Sequence, residues 1–283
     1  MPYLFLIFWL QLFGSTTTEK FLLRFDCEWF SNESFFEPEV IQKHQIKAIH
    51  VWVSEKKDRE IFENERSFLH YVFNPKGNIS KSYKEIQYRN RMDTLTHEYY
   101  YDRSGNCIRR EEKQLPFHFT YDYLFENELK KIEIKIDQNN GDTSFVHFFK
   151  HRYQDDQHFI EVANETNKAF KLITIQKNSA KQLLMERTSF MRNSSFHEKK
   201  YVYTENRLTE IIYRQFYNQM KEQKTNFEYK NGVLDYISVT ENEQTNYRIG
   251  FIYGKNQLIK SIVKREPERK VTSIYRFEYL FDD

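Results

Sequence analysis

The chain has 283 residues, with 43 basic and 41 acidic side chains and a net charge of +2. Charge so evenly balanced leaves no broad basic footprint for nucleic acid and no acidic tail. With 26 Phe, 20 Tyr and 3 Trp, an unfolded chain is excluded, because rings in such number must be buried. Only 7 Gly and 5 Pro occur, and alanine, the best helix former, is scarce, which points to a β-rich fold.

Tyr3 to Phe13 form an apolar run interrupted by Gln11 and followed by the polar stretch Gly14 to Thr18. Residues 1–18 read as an export signal, too short to span a bilayer. No Lys or Arg precedes the run, and bulky Phe13 stands where a small residue is preferred before cleavage. A buried first strand is the competing reading. No later segment is apolar enough to cross a membrane. Residues 19–65 read as an N-terminal capping region, in which Phe35 to Lys43 and Asp58 to Arg66 carry the best helical stripes and are expected as short helices or loops. Cys27 and Cys107 survive any cleavage. In an oxidising compartment their pairing would close a loop worth about 4 kcal/mol; two unrelated thiols fit the sequence equally well. No CxxC or Cys/His spacing suggests zinc, and Arg24-Phe25-Asp26 before Cys27 is no lipobox.

After the leader most segments alternate with period two, as in Ile49, Val51 and Val53 against His50 and Trp52, and in Thr225, Phe227 and Tyr229 against Asn226 and Glu228. The informative feature is a repeat. Tyr-x-x-x-x-Leu recurs at Tyr203 to Leu208, Tyr229 to Leu234 and Tyr253 to Leu258. Between them Asn206, Asn231 with Gly232, and Asn256 supply residues that tolerate the left-handed conformation of a tight hairpin. Further turns lie halfway between these, so each repeat is two strands of about eight to ten residues. Earlier copies, Phe73-Asn74-Pro75-Lys76-Gly77-Asn78 and Tyr101-Asp102-Arg103-Ser104-Gly105-Asn106, share an aromatic, an Asx residue and Gly-Asn. The expected fold is all-β: a long antiparallel meander of hairpin repeats over residues 66–283. It would form a single curved sheet or an open or half-closed barrel of about 13–15 strands, with Tyr275 to Phe281 as its C-terminal edge. An outer-membrane barrel fits poorly, because Phe145 to Tyr153 and Lys260 to Arg265 place charge on both parities and the mean hydropathy is −0.81.

At Tyr101 to Asn106 the sequence resembles the Tyr-Asp repeats of the RHS/YD family, whose pattern is Tyr-Asp-x-x-Gly-(Arg/Asn)-Leu. The resemblance extends as a rhythm over roughly residues 66 to 280, with the full signature present once; Arg207 and Gln257 replace Gly in later copies. It implies kinship with short, exported β-sheet proteins of Gram-negative bacteria, since the chain is far too short for a toxin-enclosing shell. Tyr229 to Leu234 is also similar to variant MORN repeats.

His147 and His151 share a strand face, with Asp155, Asp156 and His158 beyond a turn, but positions i and i+4 of a strand lie about 13 Å apart and cannot hold one zinc. Asp137 to Asp142 has oxygens at alternate positions, yet Asp142 stands where a calcium loop wants Gly, so a hairpin turn is expected. Adjacent Glu111 and Glu112 should face opposite ways. No nucleophile, phosphate-loop or dinucleotide motif is present, and neither enzyme activity nor a cofactor or metal is expected. Tyr99, Tyr101, Tyr121 and Tyr123 are the candidate binding face, for a sugar ring or a protein strand; the competing reading makes them the sheet's cross-strand core. Asn32, Asn78, Asn164 and Asn193 head glycosylation sequons, meaningful only in a glycosylating host.

Function is expected to be that of a non-enzymatic exported envelope or cell-surface protein with a repeat-sheet binding or scaffold surface. The alternatives are a cytoplasmic antitoxin- or immunity-type module and a glycan-binding β protein. A protein or glycan partner is expected and nucleic acid is not; exposed sheet edges would let two chains pair.

Overall fold

A computed structural model describes residues 22–23, 36–57, 66–88, 91–241, 244–254 and 256–281. The expected export signal, Cys27 and the Asp58 to Arg66 stripe lie wholly or almost wholly outside these residues. Helix α1 (Pro38–Lys43) falls within the stripe read at Phe35 to Lys43. Pro38 presets its first turn, with Glu39 near the N-terminus and Lys43 near the C-terminus matching the helix dipole. Gln45, at φ +51°, then turns the chain into the sheet.

The strands are β1 (Ile46–Lys57), β2 (Arg66–Phe73), β3 (Ile79–Tyr88), β4 (Arg91–Tyr101), β5 (Cys107–Gln114) and β6 (Phe117–Glu126). There follow β7 (Leu129–Asp137), β8 (Thr143–Gln154), β9 (Gln157–Ala163), β10 (Ala169–Lys177), β11 (Leu183–Phe190) and β12 (Phe196–Thr204). The last are β13 (Arg207–Phe216), β14 (Met220–Lys230), β15 (Val233–Glu241), β16 (Gln244–Tyr253), β17 (Ile259–Glu266) and β18 (Val271–Phe281). Each pairs antiparallel with its sequence neighbours. An even strand count makes the first and last strands run in opposite directions, and β18 pairs with β1 from Ile46↔Phe281 to Lys57↔Val271. The meander is thus a closed 18-stranded barrel. Tyr275 to Phe281, expected as an edge, is paired on both sides. Closure also withdraws the edge on which chain-to-chain strand pairing was expected. The count exceeds the expected 13–15: β1 lies ahead of the repeat region, and seventeen strands, β2 to β18, fall within it.

Turns after even-numbered strands gather at one end of the barrel, here the near end, together with α1; those after odd-numbered strands form the far end. The near-end turns are the repeat turns. Asn127 with Glu128, Glu205 with Asn206 and Asn231 with Gly232 all have positive φ, the signature of two-residue hairpin turns matched to strand twist. Gly77 and Gly105 take positive φ in five-residue turns, where Asn74 Oδ1 and Asp102 Oδ1 accept from the amides of Asn78 and Asn106. In the turn after β16 the left-handed residue is Gln257, at φ +59°, rather than Asn256.

The conserved spacing of the repeat tyrosines has a geometric cause. In the near-end hairpins other than β8–β9 a bulge interrupts the ladder: Tyr229 pairs with Leu234, Glu228 with Tyr236, and Asp235 is passed over. The carbonyl before the bulge then accepts from the tyrosine hydroxyl one repeat later. Tyr101 donates to Ile79 O at 2.8 Å, Tyr203 to Leu183 O at 3.1 Å and Tyr229 to Leu208 O at 2.9 Å. Tyr253 donates to Leu234 O and Tyr279 to Ile259 O, both at 2.6 Å. Each acceptor directly precedes a register shift. Tyrosine therefore recurs because the bulge exposes an acceptor that a long side-chain donor in the next hairpin reaches.

These tyrosines point inward. Leu22, Leu23, Phe36, Val40 and Ile41 form one apolar cluster with Ile49, Tyr71, Ile237, Ile262 and Phe277 of the wall. Phe36 meets Tyr71 and Phe73 edge-on, with centroids 4.8 and 5.3 Å apart. Pro38 lies against Gly77, where an added Cβ would stand 2.1 Å from the Pro38 oxygen. Residues around α1 thus plug the near end, where the core is concentrated on β1, β2 and β12 to β18.

Candidate functional site

Register carries the inner face from the plug to the far end, and its chemistry changes on the way. Tyr71 pairs with Ser82, Ser82 with His97, His97 with Glu112 and Glu112 with Phe119, so all five share the inner face. A second row runs Tyr99, Arg110, Tyr121, Lys135, Phe145, and a third joins Tyr123, Glu133 and His147. All nine side chains of β7 and all eight of β11 are half-buried, so neither face of these strands is covered by a packed layer. Among the described residues the inner face is apolar and packed near α1, and polar and partly covered along the arc opposite.

The four tyrosines of the expected binding face lie in this interior. Tyr99 and Tyr121 are buried. Arg110 stacks 4.1 Å over Tyr121, Lys135 lies 5.2 Å over the same ring, and Lys130 sits 5.2 Å over Tyr123. Tyr101 is held by its bond to Ile79. All four thus stand on the inner wall, Tyr121 and Tyr123 beneath cations, and the exposed ring of that cluster is outward-facing Tyr100. Glu111 and Glu112 do separate: Glu111 faces out to Lys113 at 2.9 Å, whereas Glu112 faces in, 3.4 Å from buried His97. The His97 imidazole, Arg110 and Lys135 hold the Glu112 carboxyl below its usual range against the opposing effect of burial.

His151 does not act with His147. Its Nε2 lies 2.7 Å from Lys130 O, the carbonyl before the β6–β7 bulge, so it occupies the place of the repeat tyrosine. Donation there leaves Nδ1 to accept from His158 Nε2 at 2.9 Å. Burial, then His151, lowers the His158 pKa. Among the described residues no group of three or more His, Cys, Asp or Glu is arranged to hold a metal. Asp137 to Asp142 forms a turn, with Gly141 at φ +77° and its amide donating to Asp137 O at 2.8 Å. Cys107 opens β5, its thiol 3.3 Å from Arg109 O; its expected partner, Cys27, is outside the described residues.

A cavity opens at the far end, with a volume of about 550 Å³. His147, Phe190 and His197 come from the inner face, Asn164 and Lys168 from the β9–β10 turn, and Arg192, Asn193 and Ser195 from the β11–β12 turn; Phe170 and Tyr217 complete the wall. His147 and Phe170 rings are 5.0 Å apart, Phe190 meets His197 edge-on at 5.6 Å, and His197 Nδ1 is 2.6 Å from the Tyr213 hydroxyl. Burial lowers the His147 pKa, Glu133 and Glu165 oppose this, and Lys171 adds to it. Of this set the sequence had singled out only His147, and Asn164 and Asn193 as sequons. The lining comes from widely separated segments with no common spacing, and strand parity with the two Asx turns was the available signal.

The outer face is a lattice of ion pairs. Lys81–Glu98 is 2.7 Å, Arg109 grips Asp122 with two bonds of 2.6 and 3.2 Å, and the row Arg187, Glu198, Arg214, Glu222 alternates charge across four strands.

Fold and site together define a closed β-barrel with an apolar plug at one end and a cavity at the other. No protein-family model and no curated protein sequence matches the chain. Among solved structures it is similar to a porin-like protein from Bacteroides uniformis, with TM-score 0.41 and 10% identity over 83% of this chain and 98% of that one. A porin-like protein from Bacteroides vulgatus gives TM-score 0.33 and 12% identity over 83% and 98%. The TcdB2-TccC3 structure gives 0.32 and 8% identity, over 80% of this chain and 18% of that one.

Proposed function

We propose that the chain is a non-enzymatic, exported envelope or cell-surface protein that uses the far end of a plugged β-barrel as a binding compartment. The observation that carries this reading is the contrast along one lumen: an apolar core around α1 at the near end, and at the far end a polar, partly covered inner face around a cavity of about 550 Å³. That volume suits a small ligand or a side-chain cluster of a protein partner. The barrel sits outside the hydrocarbon layer. Lys113, Lys150, Arg187, Arg214 and Lys224 stand on its outer face in ion pairs, and each cation would cost about 2–4 kcal/mol at a bilayer midplane. The tyrosine locks recur with the rhythm that resembles YD repeats and support kinship with short exported proteins of that type.

Fractionation of the native host carrying a C-terminally tagged chain, with N-terminal sequencing, tests the reading. Loss of about the first fifteen residues from an envelope fraction is expected. An intact Met1 in the cytoplasm would overturn export and favour the antitoxin-like module.

A further inference from the structure

The far-end cavity has a one-sided chemistry. Two cationic side chains stand at its rim, Lys168 in one turn and Arg192 in the next, and neither makes an ion pair among the described residues; no acidic side chain lines the cavity. The polar turn residues also present donors. Asn164 Oδ1 accepts from the Lys168 amide and the Thr166 hydroxyl, both at 2.9 Å, and Asn193 Oδ1 accepts from the Ser195 amide and hydroxyl at 3.3 and 2.6 Å. With each carboxamide oxygen spent inside its own turn, the Nδ2 groups are what these residues offer a ligand. The walls are rings: Phe170, Phe190 and Tyr217, with His147 and His197. Deeper on the inner face, burial and Lys130 hold the Lys171 ammonium below its usual range against the opposing effect of Glu133 and Glu186.

We propose that this cavity binds a small anionic aromatic compound, its carboxylate or sulfonate held between Lys168 and Arg192 and its ring system packed against Phe170, Phe190 and Tyr217. The inference rests on the reading of the far end as a binding compartment and adds the ligand class. A neutral aromatic would leave the rim cations unmatched, and an inorganic anion would leave the ring walls wet; a flat anion of this kind satisfies both.

The probes are anilinonaphthalene sulfonate and its uncharged analogue phenylnaphthylamine, read by fluorescence against the full chain. The sulfonate is expected to bind the wild type more tightly than the neutral analogue. Lys168→Glu with Arg192→Glu should weaken the sulfonate by about tenfold or more and change the analogue by no more than about twofold. Phe190→Ala should weaken both. Equal binding of both probes, unaffected by the charge reversal but lost in Phe190→Ala, would overturn the anion preference and leave the binding compartment standing. Sulfonate binding indifferent to Phe190→Ala would place the probe elsewhere and overturn the site. Absence of binding by either probe would overturn both the site and the compartment.

Discussion

Replacing Tyr253 by Phe removes one hydroxyl from the barrel and nothing else. That hydroxyl donates to Leu234 O at 2.6 Å, and Leu234 is fully buried, so water does not take its place. The ladder cannot repair the loss, since the register shift at Glu228/Tyr229 is what left this carbonyl unmatched. A net hydrogen bond is worth about 0.5–1.5 kcal/mol, and a stranded buried acceptor costs about 1–3; together these give a destabilisation of about 1.5 kcal/mol. For a chain of this size that corresponds to a fall in Tm of about 2–3 °C. Urea unfolding followed by circular dichroism should show the midpoint displaced with the slope unchanged. Tyr236→Phe is the control: its outward hydroxyl makes no hydrogen bond among the described residues, and the ring that faces Arg248 is retained. A Tyr253→Phe protein within about 0.3 kcal/mol of wild type, well below the range for a lost buried bond, would refute the account of why the tyrosine repeats.

The converse change should stabilise. Phe125 occupies the lock position opposite the β4–β5 bulge, where Cys107 is the residue before the register shift, so Phe125→Tyr is expected to add about 1 kcal/mol in the same urea assay. Gly77→Ala and Gly105→Ala share a positive φ but differ in surroundings. Gly105 has open space and should cost about 1 kcal/mol, whereas at Gly77 the Cβ meets the Pro38 carbonyl and the plug must shift, costing at least about 3 kcal/mol. Similar losses for the two would contradict the packing of α1 against that turn. His70 and His158 titrate below the ordinary imidazole value, chiefly through burial and then through His50 and His151 respectively. The unfolded chain therefore binds protons first: stability should be full above about pH 6.5 and decline as pH falls through the lowered values. Urea midpoints that are flat or rising from pH 7.5 to 5 would contradict this.

The sequence alone determined the strand character, the hairpin rhythm and most of the turn chemistry. Alternation in Thr225, Phe227 and Tyr229 marks one face of a strand because parity is a local property, and Asn206, Asn231 and Gly232 announce left-handed turns because φ is a single-residue property. Gln257 taking the place expected for Asn256 shows the limit of that signal, since turn geometry can impose a positive φ on a side chain that does not favour it. Closure, the plug and the cavity were decided only by tertiary structure. Ile46 and Phe281 meet because eighteen strands, with their accumulated twist and stagger, return the last to the first. Whether Tyr99 and Tyr121 face water or the lumen depends on that closure, as alternation assigns two faces without saying which is inside. Strand spacing argued against zinc at His151, but its actual role was not legible in the sequence, because the carbonyl it holds belongs to Lys130 on the neighbouring strand β7 and was exposed by a bulge that only the register reveals.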